Sequence, residues 1–117
     1  MIKITLILLL TLTFSLLISA CSPEAELDDK RTEPVTLSTE LAAIYQRSCK
    51  NCHEVGATGA PLTGDTERWN TILDKGMATV LDRAMSGYQG MPAFGQCFAC
   101  SPEQIKALII YMSNPAQ

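Results

Sequence analysis

Residues 49–53 read Cys-Lys-Asn-Cys-His. Two thiols three positions apart on a helical turn face the same side, and a histidine follows the second directly. That spacing suits covalent attachment of haem. Each thiol adds across one vinyl group to make a thioether, and His53 is held beneath the iron as its proximal ligand. His53 is the one histidine of the chain, so ligation by two histidines of this chain is ruled out. The sixth position falls to a methionine thioether, to a weaker donor such as lysine, or to nothing. Met77, Met85 and Met112 lie on or beside helical stripes, where filling the core is the ordinary role of this side chain. Met91 lies in a loop instead, Ser86-Gly87-Tyr88-Gln89-Gly90-Met91-Pro92-Ala93-Phe94-Gly95, with flexible residues before it and a stiff proline after it. Such a loop can carry a thioether sulfur over the iron, so Met91 is the expected second axial ligand. Met77, Met85 or an open position are the alternatives.

A second Cys-x-x-Cys pair, Cys97 and Cys100, and a lone Cys21 complete the five cysteines. Four thiolates of the two pairs could hold zinc. The stretch between the pairs, however, far exceeds the roughly 15–20 residues of a zinc ribbon. A redox-active dithiol is another option, because Cys100 lies just before a predicted helix N-terminus, which can depress a thiol pKa. Neither lysine nor histidine flanks the pair to help.

The chain opens Met1-Ile2-Lys3 and continues as an apolar run to Ala20, diluted by Thr and Ser. One early positive charge, an apolar middle and a small-residue end describe a secretory signal. Its end, Ile18-Ser19-Ala20-Cys21, resembles the bacterial lipobox, with cleavage before a lipidated Cys21. The expected organisation is a signal peptide at 1–20, a lipidated N-terminus and flexible tether at 21–37, and one folded domain at 38–117. The tether is charged, carries Pro23 and Pro34, and has little to bury; fully extended it spans roughly 50 Å. The protein is expected to be exported and held by lipid at a membrane, facing the periplasm or the extracellular side, where idle thiols are not expected to persist. Formal net charge is −3 with no basic run, which argues against nucleic acid as a partner.

These groups need elements to position them. Period-two alternation is nearly absent, and helical signals recur. Ser38 can cap a helix carrying Glu40, Leu41, Ile44, Tyr45 and Ser48. Asp65 or Thr66 can cap a second, with Trp69, Ile72 and Leu73, stopped at Gly76. A third covers about Met77 to Ser86, closed by Gly87. Ser101-Pro102-Glu103-Gln104 has the residues of a capping box with proline at the first helical position. Ile105, Leu108, Ile109 and Met112 then form one stripe, and Asn114-Pro115 ends the helix. So small a domain buries a limited share of its surface, and a flat apolar cofactor would supply the missing core.

Residues 40–113 resemble the cytochrome c5-like branch of the small class I cytochromes c. The matching stretches are Cys49–His53, Thr58-Gly59-Ala60-Pro61-Leu62-Thr63-Gly64-Asp65, Trp69, Lys75-Gly76-Met77, Gly90-Met91-Pro92 and Gly95-Gln96-Cys97-Phe98-Ala99-Cys100-Ser101. The resemblance implies an all-α fold, about four helices wrapped around one covalently bound haem c. It implies that the Pro61 carbonyl accepts the His53 Nδ1–H, fixing the tautomer. It places Tyr45 and Tyr111 where the first and last helices cross over the haem edge, and Trp69 near a propionate. Cys97 and Cys100 become a disulfide closing the loop before the last helix. Leu41 and Ala42 stand where many relatives carry glycine at the helix crossing, which implies a wider crossing. The expected function is one-electron transfer, not enzymatic turnover, with redox proteins as partners and no small-molecule substrate. Ala60, Ala93 and Phe94 suit a weak docking patch. A haem-based sensor or small peroxidase with a labile sixth ligand is the alternative.

Overall fold

The computed structural model describes residues 33–116. The expected signal peptide, Cys21 and the tether up to residue 32 lie outside the described residues. Four helical rods are present among those described. The first begins as α1 (Thr39–Ile44), passes through a π-helical segment (Tyr45–Cys49) and ends as α2 (Lys50–His53). The others are α3 (Thr66–Leu73), α4 (Met77–Ser86) and α5 (Pro102–Ser113). A short 3₁₀ turn occupies Gly56–Thr58, and Ala93–Gln96 form a tight turn with left-handed backbone from Phe94 to Gln96. Extended pairing is confined, among the described residues, to two isolated bridges, Val35 with Pro115 and Tyr88 with Met91.

The expected helix starts are all built. Ser38 Oγ accepts the Leu41 N–H at 3.3 Å, and Asp65 Oδ1 accepts the Arg68 N–H at 3.2 Å. At α5 the capping box is complete. Ser101 Oγ accepts the Gln104 N–H at 3.3 Å, and Gln104 Oε1 accepts the Ser101 N–H at 2.9 Å. The Gln104 amide also donates to Glu40 at 2.8 Å, joining the last helix to the first.

The π-helical turn has no signal in the apolar periodicity. The Lys50 N–H reaches back five residues to the Tyr45 carbonyl. One extra residue is thereby inserted, and α2 is rotated relative to α1. Turns of this kind are uncommon and gather at functional sites. Here the turn ends where the Cys-x-x-Cys-His motif begins, so Tyr45 stays in the core while the motif is turned to another side.

The core is drawn from every rod, with Ile44, Trp69, Leu73, Val80, Leu108 and Ile109 all buried. The stripe read for the last helix is buried in full: Ile105, Leu108, Ile109 and Met112. The rings of Tyr45 and Tyr111 meet edge to face with centroids 5.1 Å apart, a favoured aromatic geometry. The folded unit begins earlier than residue 38. The Val35 N–H donates to Asn114 O at 2.9 Å, the Ala116 N–H donates to Val35 O at 3.0 Å, and Leu37 packs on the core. Residues 35–37 therefore belong to the domain. Their backbone finds partners only beyond the end of α5, which a local reading of composition does not reveal.

Replacing Ser101 with alanine removes one acceptor of the capping box and is expected to destabilise the domain by about 1 kcal/mol. Thermal unfolding should register this as a loss of roughly 4–8 °C in Tm, with an unchanged visible spectrum.

Candidate cofactor site

The end of the π-helical segment and α2 deliver Cys49, Cys52 and His53 to one wall of a cavity of about 730 Å³. That lies within the 300–1,000 Å³ usual for cofactor sites. The α5 stripe, Ile105, Leu108, Ile109 and Met112, lines the same cavity. The loops contribute Ala60, Pro61, Met91, Pro92 and Phe94. Of the methionines after the motif, Met91 and Met112 line it, whereas Met77 packs against the core and neither it nor Met85 lines the cavity.

His53 is buried, and its Nδ1 lies 2.8 Å from the Pro61 carbonyl. A carbonyl can only accept, so Nδ1 carries the proton and Nε2 keeps a lone pair for a metal. Burial pushes the imidazole below its usual pKa; the bond to Pro61 opposes this, and the Arg68 guanidinium adds to it. Burial, reinforced by the neighbouring Cys52, pushes the Cys49 thiol up to about 11. Both motif cysteines are free of disulfide bonding.

Consecutive carbonyls of the loop behind His53 each receive a side-chain donor. Arg68 donates to Gly59 O at 2.6 Å and to Ala60 O at 3.3 Å. His53 takes Pro61 O, and Trp69 Nε1–H donates to Leu62 O at 2.8 Å. The next residue closes the circuit, the Thr63 N–H donating to His53 O at 2.7 Å. The Trp69 ring also stacks on the imidazole, with centroids 5.9 Å apart and planes 27° from parallel. Tyr45 adds a further tie. Its hydroxyl donates to Glu54 at 2.8 Å, and the Thr63 hydroxyl lies 2.8 Å away on its other side. Burial holds this phenol well above its ordinary pKa, so it remains a donor.

Of the residues expected at the site, the structure brings Cys49, Cys52, His53, Pro61 and Met91 to one cavity. Tyr45 and Tyr111 pack against each other in the first and last rods and do not line it. Trp69 borders a smaller adjoining hollow with Arg68, Lys75 and Arg83, its N–H already engaged by Leu62. Arg68 is absent from the sequence reading. The signal that could have found it is the accounting of backbone acceptors in a tight Gly-Ala-Pro-Leu loop, which need donors from somewhere.

Cys97 and Cys100 are bonded to each other, with Cα atoms 5.4 Å apart. Cys100 is followed by Ser101, so this pair lacks the histidine that completes the motif at residues 49–53. The disulfide engages two of the four thiols that zinc would need. Among the described residues no group of three or more His, Cys, Asp or Glu is placed to hold a metal ion. A flat apolar macrocycle with a central iron fits the donor set at the cavity. Two thiols and an imidazole nitrogen come from the end of the first rod, aliphatic side chains from α5, and a thioether from the loop.

Residues 37–112 match the family described as cytochrome c oxidase, cbb3-type, subunit III. A cytochrome c5 from Ectopseudomonas mendocina is 38% identical over 73 residues, covering 61% of this chain and 84% of that protein. A cytochrome c-555 from Prosthecochloris aestuarii is 34% identical over 79 residues, covering 61% and 80%. Among solved structures, the chain resembles one from a crystal structure described as an electron transfer complex of nitrite reductase with cytochrome c. The TM-score is 0.58 at 28% identity, over 67% of this chain and 95% of that one.

Trp69→Phe keeps an aromatic side chain, though a smaller one, and removes the indole donor to Leu62, leaving that carbonyl the Asp65 N–H alone. An under-satisfied carbonyl in this part-buried loop should destabilise the haem-loaded domain by about 1–2 kcal/mol, measured by thermal or denaturant unfolding.

Proposed function

The chain belongs to the class I c-type cytochromes, in their c5-like group, with one covalently bound haem c, and from that premise we propose that it is an extracytoplasmic one-electron carrier with His53 and Met91 as axial ligands. Bound haem c supplies reversible one-electron exchange between Fe(III) and Fe(II). The observation that carries the reading is that His53, both free cysteines and Met91 line a single apolar cavity. Cys49 and Cys52 supply the two thioether sulfurs. Pro61 holds His53 in the tautomer that presents Nε2, and Trp69 backs the ring. Arg68, Lys75 and Arg83 border the adjoining hollow, a cationic place suited to the carboxylates of the group. Trp69 borders it too, as the aromatic expected near a propionate.

Other redox proteins are the proposed partners, and no catalytic turnover is assigned. The similar solved cytochrome c stands in an electron transfer complex. The charged side chain lining the cavity is Arg68, which is turned to the Gly59 and Ala60 carbonyls. Phe94 lines the cavity, and Phe98 beside it, ring centroids 6.4 Å apart, is 75% exposed. A mainly apolar rim around Phe94 and Phe98 favours brief docking with fast release. Cys21 is proposed as the lipid attachment point that keeps the domain at a membrane. The export-type N-terminal segment supports this, as does the lipobox-like Ile18-Ser19-Ala20-Cys21.

Visible spectra of the matured protein test the ligand set. A sharp reduced α-band indifferent to carbon monoxide, with a weak red methionine–iron band when oxidised, is expected. Met91→Ala should abolish the red band, admit carbon monoxide and lower the reduction potential, since a thioether ligand favours Fe(II) and methionine ligation raises the potential. A carbon monoxide response in the unaltered protein would transfer the assignment to a sensor or small peroxidase. For the anchor, Cys21→Ser should move the haem-loaded protein from the membrane pellet to the soluble fraction; retention in the pellet would exclude lipidation at Cys21.

A further inference from the structure

Among the described residues, three that are not glycine adopt a left-handed backbone: Gln89 at φ 53°, Phe94 at 56° and Gln96 at 68°. All three lie between Gly87 and Cys97, in the loop that carries Met91. Gly95 lies between two of them at φ 56°, so Phe94, Gly95 and Gln96 are left-handed in succession. For an L-residue this conformation drives Cβ against a carbonyl oxygen. It persists where the surroundings over-determine it, and such places gather at ligand clamps.

Two anchors bracket the run. Upstream, Tyr88 and Met91 exchange backbone hydrogen bonds of 3.1 and 3.0 Å. Gly87 permits this close turn, since a Cβ there would meet Ala93 N at 3.1 Å and Met91 O at 3.2 Å. This anchor fixes Met91 to Tyr88 and leaves the left-handed run untouched. Downstream, the Cys97 N–H donates to Phe94 O at 2.9 Å, and the Cys100 N–H donates to Cys97 O at 2.9 Å. The disulfide then binds Cys97 to Cys100 inside the core, both sulfur residues being buried. Ser101, next in sequence, is the cap of α5. The left-handed run therefore ends on a covalent knot at the start of α5, the helix with the complete capping box. The run also faces Met91. A Cβ on Gly95 would lie 3.4 Å from the Met91 methyl, so this backbone passes directly behind the thioether.

We propose that the Cys97–Cys100 disulfide is a positioning device for Met91, holding Phe94–Gln96 in its left-handed form so that this run backs the thioether in the cavity. The inference rests on Met91 being the axial ligand, and goes beyond it by assigning the loop's geometry to the crosslink. A disulfide spanning three residues removes little chain entropy from the unfolded state, so its contribution is sought in the native loop.

The test compares four fully matured, haem-loaded proteins: the unaltered chain, Met91→Ala, Cys97→Ser/Cys100→Ser, and that pair combined with Gln96→Gly. The readouts are haem per chain, the red methionine–iron band, and the rate of carbon monoxide binding to the reduced form. The serine pair should keep its haem, lose most of the red band, and bind carbon monoxide roughly tenfold faster as the methionine-off population grows. Glycine at 96 adopts positive φ freely, so the triple variant should recover the band and the inertness. A band that survives Met91→Ala would overturn the ligand assignment itself. A band lost in Met91→Ala but intact in the serine pair, with only Tm lowered, would leave the disulfide as a plain staple and overturn the proposal. Loss without rescue by glycine would also overturn it. Should the serine pair fail to mature, the unaltered reduced protein is treated with dithiothreitol and two alkylated thiols are verified by mass. Faster carbon monoxide binding then supports the proposal, and an unchanged rate defeats it.

Discussion

The bond from His53 Nδ1 to the Pro61 carbonyl joins the attachment helix to the loop behind it, and much of the molecule serves to keep that carbonyl in place. Side chains meet the Gly59, Ala60 and Pro61 carbonyls of the loop, and Leu62 O takes the Trp69 indole beside the Asp65 N–H at 3.1 Å. Arg68 and Trp69 are neighbours in α3, and both reach back to the loop preceding their helix. The position of α3 is set in turn by the Asp65 cap and by the burial of Trp69 and Leu73. Each of these bonds contributes only about 1 kcal/mol net, whereas an unmet buried acceptor costs about 1–3 kcal/mol. The set is therefore more important for what it forbids than for what it adds. Shifting Pro61 would leave several polar groups without partners at once, so the imidazole has one orientation and one tautomer.

The same economy of parts appears in the last helix. Its stripe of Ile105, Leu108, Ile109 and Met112 belongs to the protein core and to the cavity wall together. A small domain cannot close a large apolar interior with side chains alone. With a cavity of about 730 Å³ between α2, α5 and two loops, the haem is a structural element as much as a reactive one. Thioether attachment makes that element permanent.

What could be read from the sequence follows from how local each cause is. Ser38, Asp65, Ser101 and Gln104 act within three residues, and their helix starts were legible for that reason. The motif cysteines and His53 were legible because thioether chemistry fixes their spacing. The π-helical turn at Tyr45–Cys49 was not, since the periodicity of residues 41, 44 and 45 fits an ordinary helix and the extra residue is selected by tertiary contacts. Arg68 was hidden because its partners are carbonyls, which no residue type advertises. Val35 was assigned to the tether because its pairing lies across the whole domain at Asn114 and Ala116. Tyr45 and Tyr111 were expected where the first and last helices cross, and their rings meet there edge to face; the polar tie from Tyr45 to Glu54 and Thr63 was not legible, because its partners lie outside the helix.

On the proposed ligation by His53 and Met91, the two sides of the site are held by opposite means, and the chemistry of the donors accounts for the difference. An imidazole is a strong ligand whose failure mode is the wrong tautomer or a turned ring. Directional hydrogen bonds and a stacked indole guard against both. A thioether carries no proton and accepts only weak bonds, so hydrogen bonding cannot steer it. Its sulfur must be aimed by the backbone that carries it and by the surface behind its methyl group. A loop with ordinary dihedrals could adopt many conformations at similar free energy and would aim poorly. The loop at residues 87–97 instead combines an unfavourable backbone with two firm ends, leaving it few alternatives. Rigidity on the Met91 side is thus obtained by restricting the chain, and rigidity on the His53 side by satisfying it.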